Sequence, residues 1–108
     1  MTKTEYLKFH RDCCDRMIKI TAAKNADYTG GSVCPFGNFT EVERTGTCET
    51  EVGFMVRMTD KFARIRSFVK LGVLKVKEES VEDTLIDLAN YCILFAGYLR
   101  AKRAGVKK

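Results

Sequence analysis

The feature that most constrains the fold is a helix that carries acids where a core helix should be apolar. In the segment Glu78-Glu79-Ser80-Val81-Glu82-Asp83-Thr84-Leu85-Ile86-Asp87-Leu88-Ala89-Asn90-Tyr91, Val81, Leu85 and Leu88 recur at helical spacing and continue to Cys92 and Phe95, with Ile86, Ala89 and Ile93 beside them. Between the edges of this apolar surface runs a second row at the same spacing: Glu79, Asp83, Asp87 and Asn90. Its next member is Leu94, so the row runs into the core. A buried carboxylate is costly unless a cation or hydrogen-bond donors accept it. The acids are therefore expected to hold a metal, a base or a nucleotide. Ser80-x-x-Asp83 is also a capping-box pattern, and Glu78, Glu79 and Glu82 are the acids a helix start takes. Asp87 lies deeper, beyond the reach of that explanation.

The rest of the chain reads as helices too. A first helix is expected over 4–24, with Tyr6, Phe9, Cys13, Met17 and Ile20 on one stripe. Residues 25–39 hold Gly30, Gly31, Gly37 and the only proline, Pro35, and read as a long loop of the kind that often carries function. Thr40-Glu41-Val42-Glu43 matches a capping box, so a short helix is expected to run from there to Gly46. A longer helix is expected over 50–71, with Met55, Met58, Phe62, Ile65 and Val69 on its stripe and a stop at Lys70 and Gly72. The last helix starts near Ser80 and runs to about residue 104, on the order of 37 Å at 1.5 Å per residue. Only Val73–Val76 has strand character. The fold class is all-α: one domain over 1–108, a small bundle of three long helices and one short one. The last helix is apolar on at least two sides, so a homo-oligomer is expected.

Composition narrows the possibilities further. The 108 residues allow a single modest core, and 45% hydrophobic content argues against disorder. There is no apolar run long enough to span a membrane and no apolar signal core after the polar start, so a cytoplasmic protein with no membrane partner is expected. Cys13, Cys14, Cys34, Cys48 and Cys92 form no CxxC pair and read as reduced thiols. Adjacent Cys13 and Cys14 point about 100° apart on a helix and make poor co-ligands with His10. The net charge of +5 resides in a tail: residues 100–108 carry five cations and no acid, which leaves 14 basic and 14 acidic residues in the body. A nucleic-acid partner, which would need a basic face on the fold, is not expected.

Three constellations could carry chemistry. In the acidic row, Glu79, Asp83 and Asp87 lie one turn apart, which suits magnesium and its oxygen ligands, or donors on a facing helix. On the middle helix, Arg57, Lys61 and Arg64 share a face near Asp60 and could meet either those acids or a ligand's phosphates. In the glycine-rich region, Lys24, Asp27, Tyr28, Phe36, Asn38 and Phe39 could stack a base and touch phosphate. The aromatics there could equally pin the loop to the bundle.

Together, Lys24…Asp27-Tyr28-x-Gly30…Phe36-x-Asn38-Phe39, Met58-x-Asp60-Lys61-x-x-Arg64 and Glu79-Ser80-Val81-x-Asp83-Thr84-Leu85-x-Asp87-Leu88-Ala89-Asn90-Tyr91 resemble the nucleotide-modification-associated helical proteins of bacteriophages. These in turn look related to the MazG-like all-α nucleoside triphosphate pyrophosphohydrolases. The resemblance covers roughly residues 20–95. It implies an oligomeric helical bundle in a bacterial host cell, a nucleotide near the acidic helix (Asn90 and Tyr91 included), and magnesium where catalysis occurs. The chain departs from the pyrophosphohydrolase pattern of Glu-x-x-Glu on one helix and Glu-x-x-Asp on the next, since its middle helix offers only Asp60 near the right place and its last helix has Asp83 and Asp87 four apart.

The functional expectations are then three. As an enzyme, the chain would be a magnesium-dependent nucleoside triphosphate pyrophosphohydrolase, with Asp60, Glu79, Asp83 and Asp87 on the metal. As a non-catalytic binder, it would hold a nucleotide or a nucleotide-derived immune signal of a bacterial defence system, with Asp83 and Asp87 bracing Lys61 and Arg64. As a structural bundle, its acids and bases would only pair with each other.

Overall fold

The structure, a computed structural model, describes residues 1–28, 34–72 and 80–105, the side chains of residues 25–28 excepted. Four helices make up the fold: α1 (Lys3–Tyr28), α2 (Gly37–Arg44), α3 (Thr50–Leu71) and α4 (Val81–Arg103). The all-α expectation holds, and no strand occurs among the described residues; Val73–Val76 lies outside them. No described helix is long and apolar enough to cross a membrane.

The helix ends follow from local chemistry in some places and from packing in others. Ser80 caps α4 as its sequence foretells: its hydroxyl accepts from the Asp83 N–H at 3.0 Å, and the Asp83 carboxylate accepts from the Ser80 N–H at 3.3 Å. Gly72 ends α3 at φ +79, with its N–H on the Phe68 carbonyl at 2.7 Å, a left-handed cap that glycine adopts without strain. The expected start of the short helix at Thr40 is corrected. α2 begins three residues earlier, at Gly37, and the Thr40 hydroxyl instead donates back to the Gly37 carbonyl at 3.3 Å. Glu43, the other half of that capping box, accepts from the Thr50 N–H at 3.0 Å and so caps α3 from the neighbouring helix. The first helix likewise overruns its expected end by four residues, to Tyr28.

The centre is an aromatic stack between α2, α3 and α4. Phe54 is fully buried and lies face to face with Phe39 on one side (centroids 4.1 Å apart) and Phe95 on the other (4.7 Å). Tyr91 meets Phe39 edge-on at 6.0 Å, and Phe36 meets Tyr98 edge-on at 5.8 Å. Offset and edge-on rings contribute about 0.5–1.5 kcal/mol per pair beyond the area they bury. At Gly53, an added Cβ would lie 3.1 Å from Val42 Cγ2, so the missing side chain lets α2 press close against α3. The two long helices run antiparallel, with Glu51 paired to Lys102 at one end and Lys61 to Asp87 further along.

The packing faces differ from the stripes expected. On α3, Phe54 is buried and Met58, Ile65 and Phe68 are half-buried, whereas Met55, Phe62 and Val69 are exposed. On α4, Thr84, Ile86 and Tyr98 are buried, while Leu85, Cys92 and Ile93 are exposed. α1 packs only with its second half: Cys13, Met17 and Ile20 are half-buried, whereas every residue from Met1 to Asp12, Tyr6 and Phe9 included, is exposed.

Candidate functional site

A cavity of about 220 Å³ opens where α1, α3 and α4 meet the start of α2. Thr21 and Lys24 line it from α1, Pro35, Asn38 and Phe39 from α2 and its approach, Arg57 from α3, and Asp87, Asn90, Tyr91 and Leu94 from α4. Each contribution has a local cause. Thr21 and Lys24 are three residues apart, hence one turn apart on the same face of α1. Asp87, Asn90, Tyr91 and Leu94 are the α4 row that runs from the acids toward the core. Phe39 and Tyr91 are held edge to face, which fixes an apolar wall at the inner end.

Asp87 is the electrostatic centre. Its Oδ2 lies 3.1 Å from Lys61 Nζ and its Oδ1 3.8 Å from Lys24 Nζ. The Asp87 side chain is 20% exposed and that of Lys61 16%, so this ion pair sits largely out of water, where a single unpartnered charge is costly. Asn90 donates to the Met17 carbonyl at 3.4 Å, which pins the α4 row to α1.

Asp83, one turn earlier, faces a different cation. It accepts a hydrogen bond from Arg16 on α1, and Glu82 lies 3.7 Å from the same guanidinium. The Arg16 bond, followed by the bonds from Ser80, holds the Asp83 carboxyl below its ordinary range, and the same bond raises Arg16. Asp60 pairs along its own helix with Arg64 at 3.7 Å and is 64% exposed. Among the described residues no three His, Cys, Asp or Glu side chains gather into a set that could hold a metal ion. Glu79, expected to join such a set, lies outside the described residues, as do the side chains of Asp27 and Tyr28.

Of the residues singled out in the sequence, Lys24, Asn38, Arg57, Asp87, Asn90 and Tyr91 thus come together around one cavity, with Lys61 directly behind Asp87. Phe36 packs on Tyr98 instead of lining it, and Arg64 turns to Asp60. The brace expected for Asp87 falls on Lys61 as foreseen, while Asp83 braces Arg16 and not Arg64. Sequence reasoning passed over Thr21, Pro35 and Leu94. The first was legible as the neighbour of Lys24 one turn away, and the last as the next member of the acid row. Arg16 had no local signal at all, because its role depends on how α1 crosses α4.

Chemically, the cavity offers an aromatic and aliphatic wall (Phe39, Tyr91, Leu94), two side-chain amides with donors and acceptors (Asn38, Asn90), and cations at its rim (Lys24, Arg57). No curated protein and no solved structure matches the chain. A family profile does match, over residues 38–96, a span that takes in most of α2, all of α3 and α4 as far as Ala96, and with them seven of the ten residues that line the cavity. With more than half of its length matched, the chain belongs to the family described as nucleotide modification associated domain 1.

Proposed function

We propose that the protein binds a phosphate-bearing nucleotide, or a small molecule derived from one, in the cavity around Asp87. The observation that carries this reading is the meeting of base-type and phosphate-type recognition in one cavity. Phe39 and Tyr91 stand beside the amides of Asn38 and Asn90, and Lys24 and Arg57 stand at the same opening. Aromatic faces take a base by stacking, amides read its edge, and Arg and Lys take phosphate oxygens. Family membership supports the same reading.

In this account Asp87 braces. It holds Lys24 and Lys61 in place, and so shapes the positive rim. Magnesium-dependent pyrophosphohydrolysis is the reading the described residues support less well. Asp60, Asp83 and Asp87 each face a cation, and magnesium requires converging oxygens free of such partners. The described acids do not gather into a set that fits the ion. Sequestration of a nucleotide signal made by a bacterial defence system would use the same groups, with the ligand released intact.

The kinship to MazG-like bundles of bacteriophage type, with work in the cytoplasm of a bacterial host, rests on the sequence strings quoted above. A homo-oligomer is part of the proposal, supported by the bare apolar side chains of α1, α3 and α4.

The test is incubation with a panel of nucleotides with and without magnesium, followed by separation of ligand from product. Intact ligand recovered in stoichiometric complex is the expected result. Release of pyrophosphate that depends on magnesium and is lost in Asp87→Asn would replace binding by hydrolysis.

A further inference from the structure

Every exposed residue of α4 from Leu85 to Leu99 is apolar: Leu85, Cys92, Ile93, Ala96 and Leu99. The outer face of a helix on a monomer is ordinarily charged. Here charge begins only beyond that stretch, with Glu82 and Asp83 in the first turn and Arg100, Lys102 and Arg103 in the last. Leu85, Cys92 and Leu99 recur as first members of successive heptads, with Ala89 and Ala96 between them. That is the spacing of a seam that packs on another helix. On α3, Met55, Phe62 and Val69 repeat at the same interval and are exposed as well.

Both rows lie on the side of the bundle away from the cavity. Asp87 of α4 and Arg57 of α3 line the cavity, and each row stands roughly 120–160° around its helix from that residue, given the turn of an α-helix. The two rows thus form one apolar face on the open side of the antiparallel α3–α4 pair.

The charges at its ends say what this face meets. Glu82 and Arg100 stand about five turns apart on the same flank of the α4 seam. A second α4 running antiparallel brings the acidic start of each helix beside the basic end of the other, whereas a parallel one sets like charges together. The helix dipoles favour the same direction. Lys102 is already held by Glu51, while Arg100 and Arg103 form no ion pair among the described residues. At the middle of the seam Ala89, Cys92 and Ala96 are small enough for two helices to approach closely, and a leucine closes each end.

We infer that a second copy of this chain covers the face. The two copies form a two-fold dimer, with α4 antiparallel to α4, the axis near Cys92 and the α3 rows packed alongside. A two-fold interface uses the same patch on both copies, and a seam acidic at one end, basic at the other and small in the middle is complementary to itself. The inference rests on the homo-oligomer reading above and goes beyond it in surface, partner orientation and axis. Each cavity opens on the far side of its own α3–α4 pair and stays uncovered in the dimer.

The experiment is light scattering of the intact protein at micromolar concentration, together with reaction with a short bis-maleimide, which joins thiols that stand close together. The expected mass is twice 12.2 kDa, with the chains linked in pairs through Cys92. Cys92→Ser should remain dimeric and lose the link. Ala96→Glu, a charge at the middle of the seam, should yield a monomer whose helicity by circular dichroism is unchanged. Arg100→Glu should weaken the dimer about ten-fold, since it sets two like-charged pairs across the axis. Adding Glu82→Arg should restore it by re-forming those pairs with their signs exchanged. A monomeric parent overturns both the inference and the homo-oligomer reading. A dimer that Ala96→Glu leaves intact, that Cys92 does not link, or that the charge exchange fails to restore overturns the inference alone.

Discussion

Lys61 and Asp87, on antiparallel helices, meet at 3.1 Å with each side chain about four-fifths buried. The pair joins the bundle's stability to its cavity, because the same carboxylate also reaches Lys24 at 3.8 Å. Removing the negative charge takes from the largely buried Lys61 ammonium the carboxylate that lies 3.1 Å away. Asp87→Asn should lower stability by about 2 kcal/mol. This lies below the 3–5 of a fully buried pair, since water still reaches a fifth of each side chain. Urea denaturation measures it. In the double variant Asp87→Asn with Lys61→Met the two losses should not add, because each single change already removes the Lys61–Asp87 contact. A loss under about 0.5 kcal/mol in Asp87→Asn would mean that the pair is a surface contact in effect.

Acid sensitivity should be traceable to Asp83. Its folded-state carboxyl is held below the ordinary 3.8 by Arg16 and Ser80. A carboxyl depressed on folding contributes stability that is fully present above the unfolded value. The contribution is lost as pH falls through the lower, folded value. Stability should therefore decline below about pH 4 as this bond is protonated away. Asp83→Asn should be less stable than the parent at pH 7 and show a shallower decline between pH 4 and 2. Equal slopes for the two proteins, followed by circular dichroism, would show that the Arg16–Asp83 bond does not anchor α1 to α4.

The sequence disclosed some of this and hid the rest, for physical reasons. The α4 capping box needs only Ser80 and Asp83, three residues apart, so spacing alone was enough. A brace for Asp87 was legible because a carboxylate on a helix aimed at a core requires a cation nearby, and the middle helix offered Lys61. What spacing could not contain is the angle between helices. Arg16 meets Asp83 and Lys24 meets Asp87 only because of how α1 crosses α4. The start of α2 was misplaced for a related reason. Phe36 and Phe39 pack on Tyr98 and Phe54, which draws the helix start forward, and Glu43 is released to cap Thr50. The apolar stripes were correct as helix signals but mixed two faces: Cys13, Met17, Ile20, Met58 and Ile65 turn inward, whereas Met55, Phe62 and Val69 face solvent. Met55, Phe62 and Val69 satisfy the period as well as Phe54, Met58 and Ile65 do, and only the aromatic stack decides between them.

Those bare stripes carry their own prediction. Phe62 is 55% exposed and Val69 77%, with Tyr6 and Phe9 bare on α1, and scattered single apolar residues are ordinary whereas repeated rows on three helices are not. At micromolar concentration the protein should have a solution mass that is a multiple of 12.2 kDa, measured by light scattering. Phe62→Glu, which places a charge in the α3 row without touching the core, should reduce that mass to the monomer with helicity retained. A monomeric parent at 50 μM or so would remove the oligomer from the account, since specific interfaces of standard size hold at that concentration.

The measurement that bears most directly on the central claim, a nucleotide site around Asp87, is amide chemical-shift mapping of the labelled protein during titration with a deoxynucleoside monophosphate mixture. The account predicts saturable shifts concentrated at Thr21, Lys24, Asn38, Phe39, Arg57, Asn90 and Tyr91, the residues that share the cavity across four helices. Shifts confined to the basic end of α4, at Arg100, Lys102 and Arg103, or no saturable shifts at all, would contradict it.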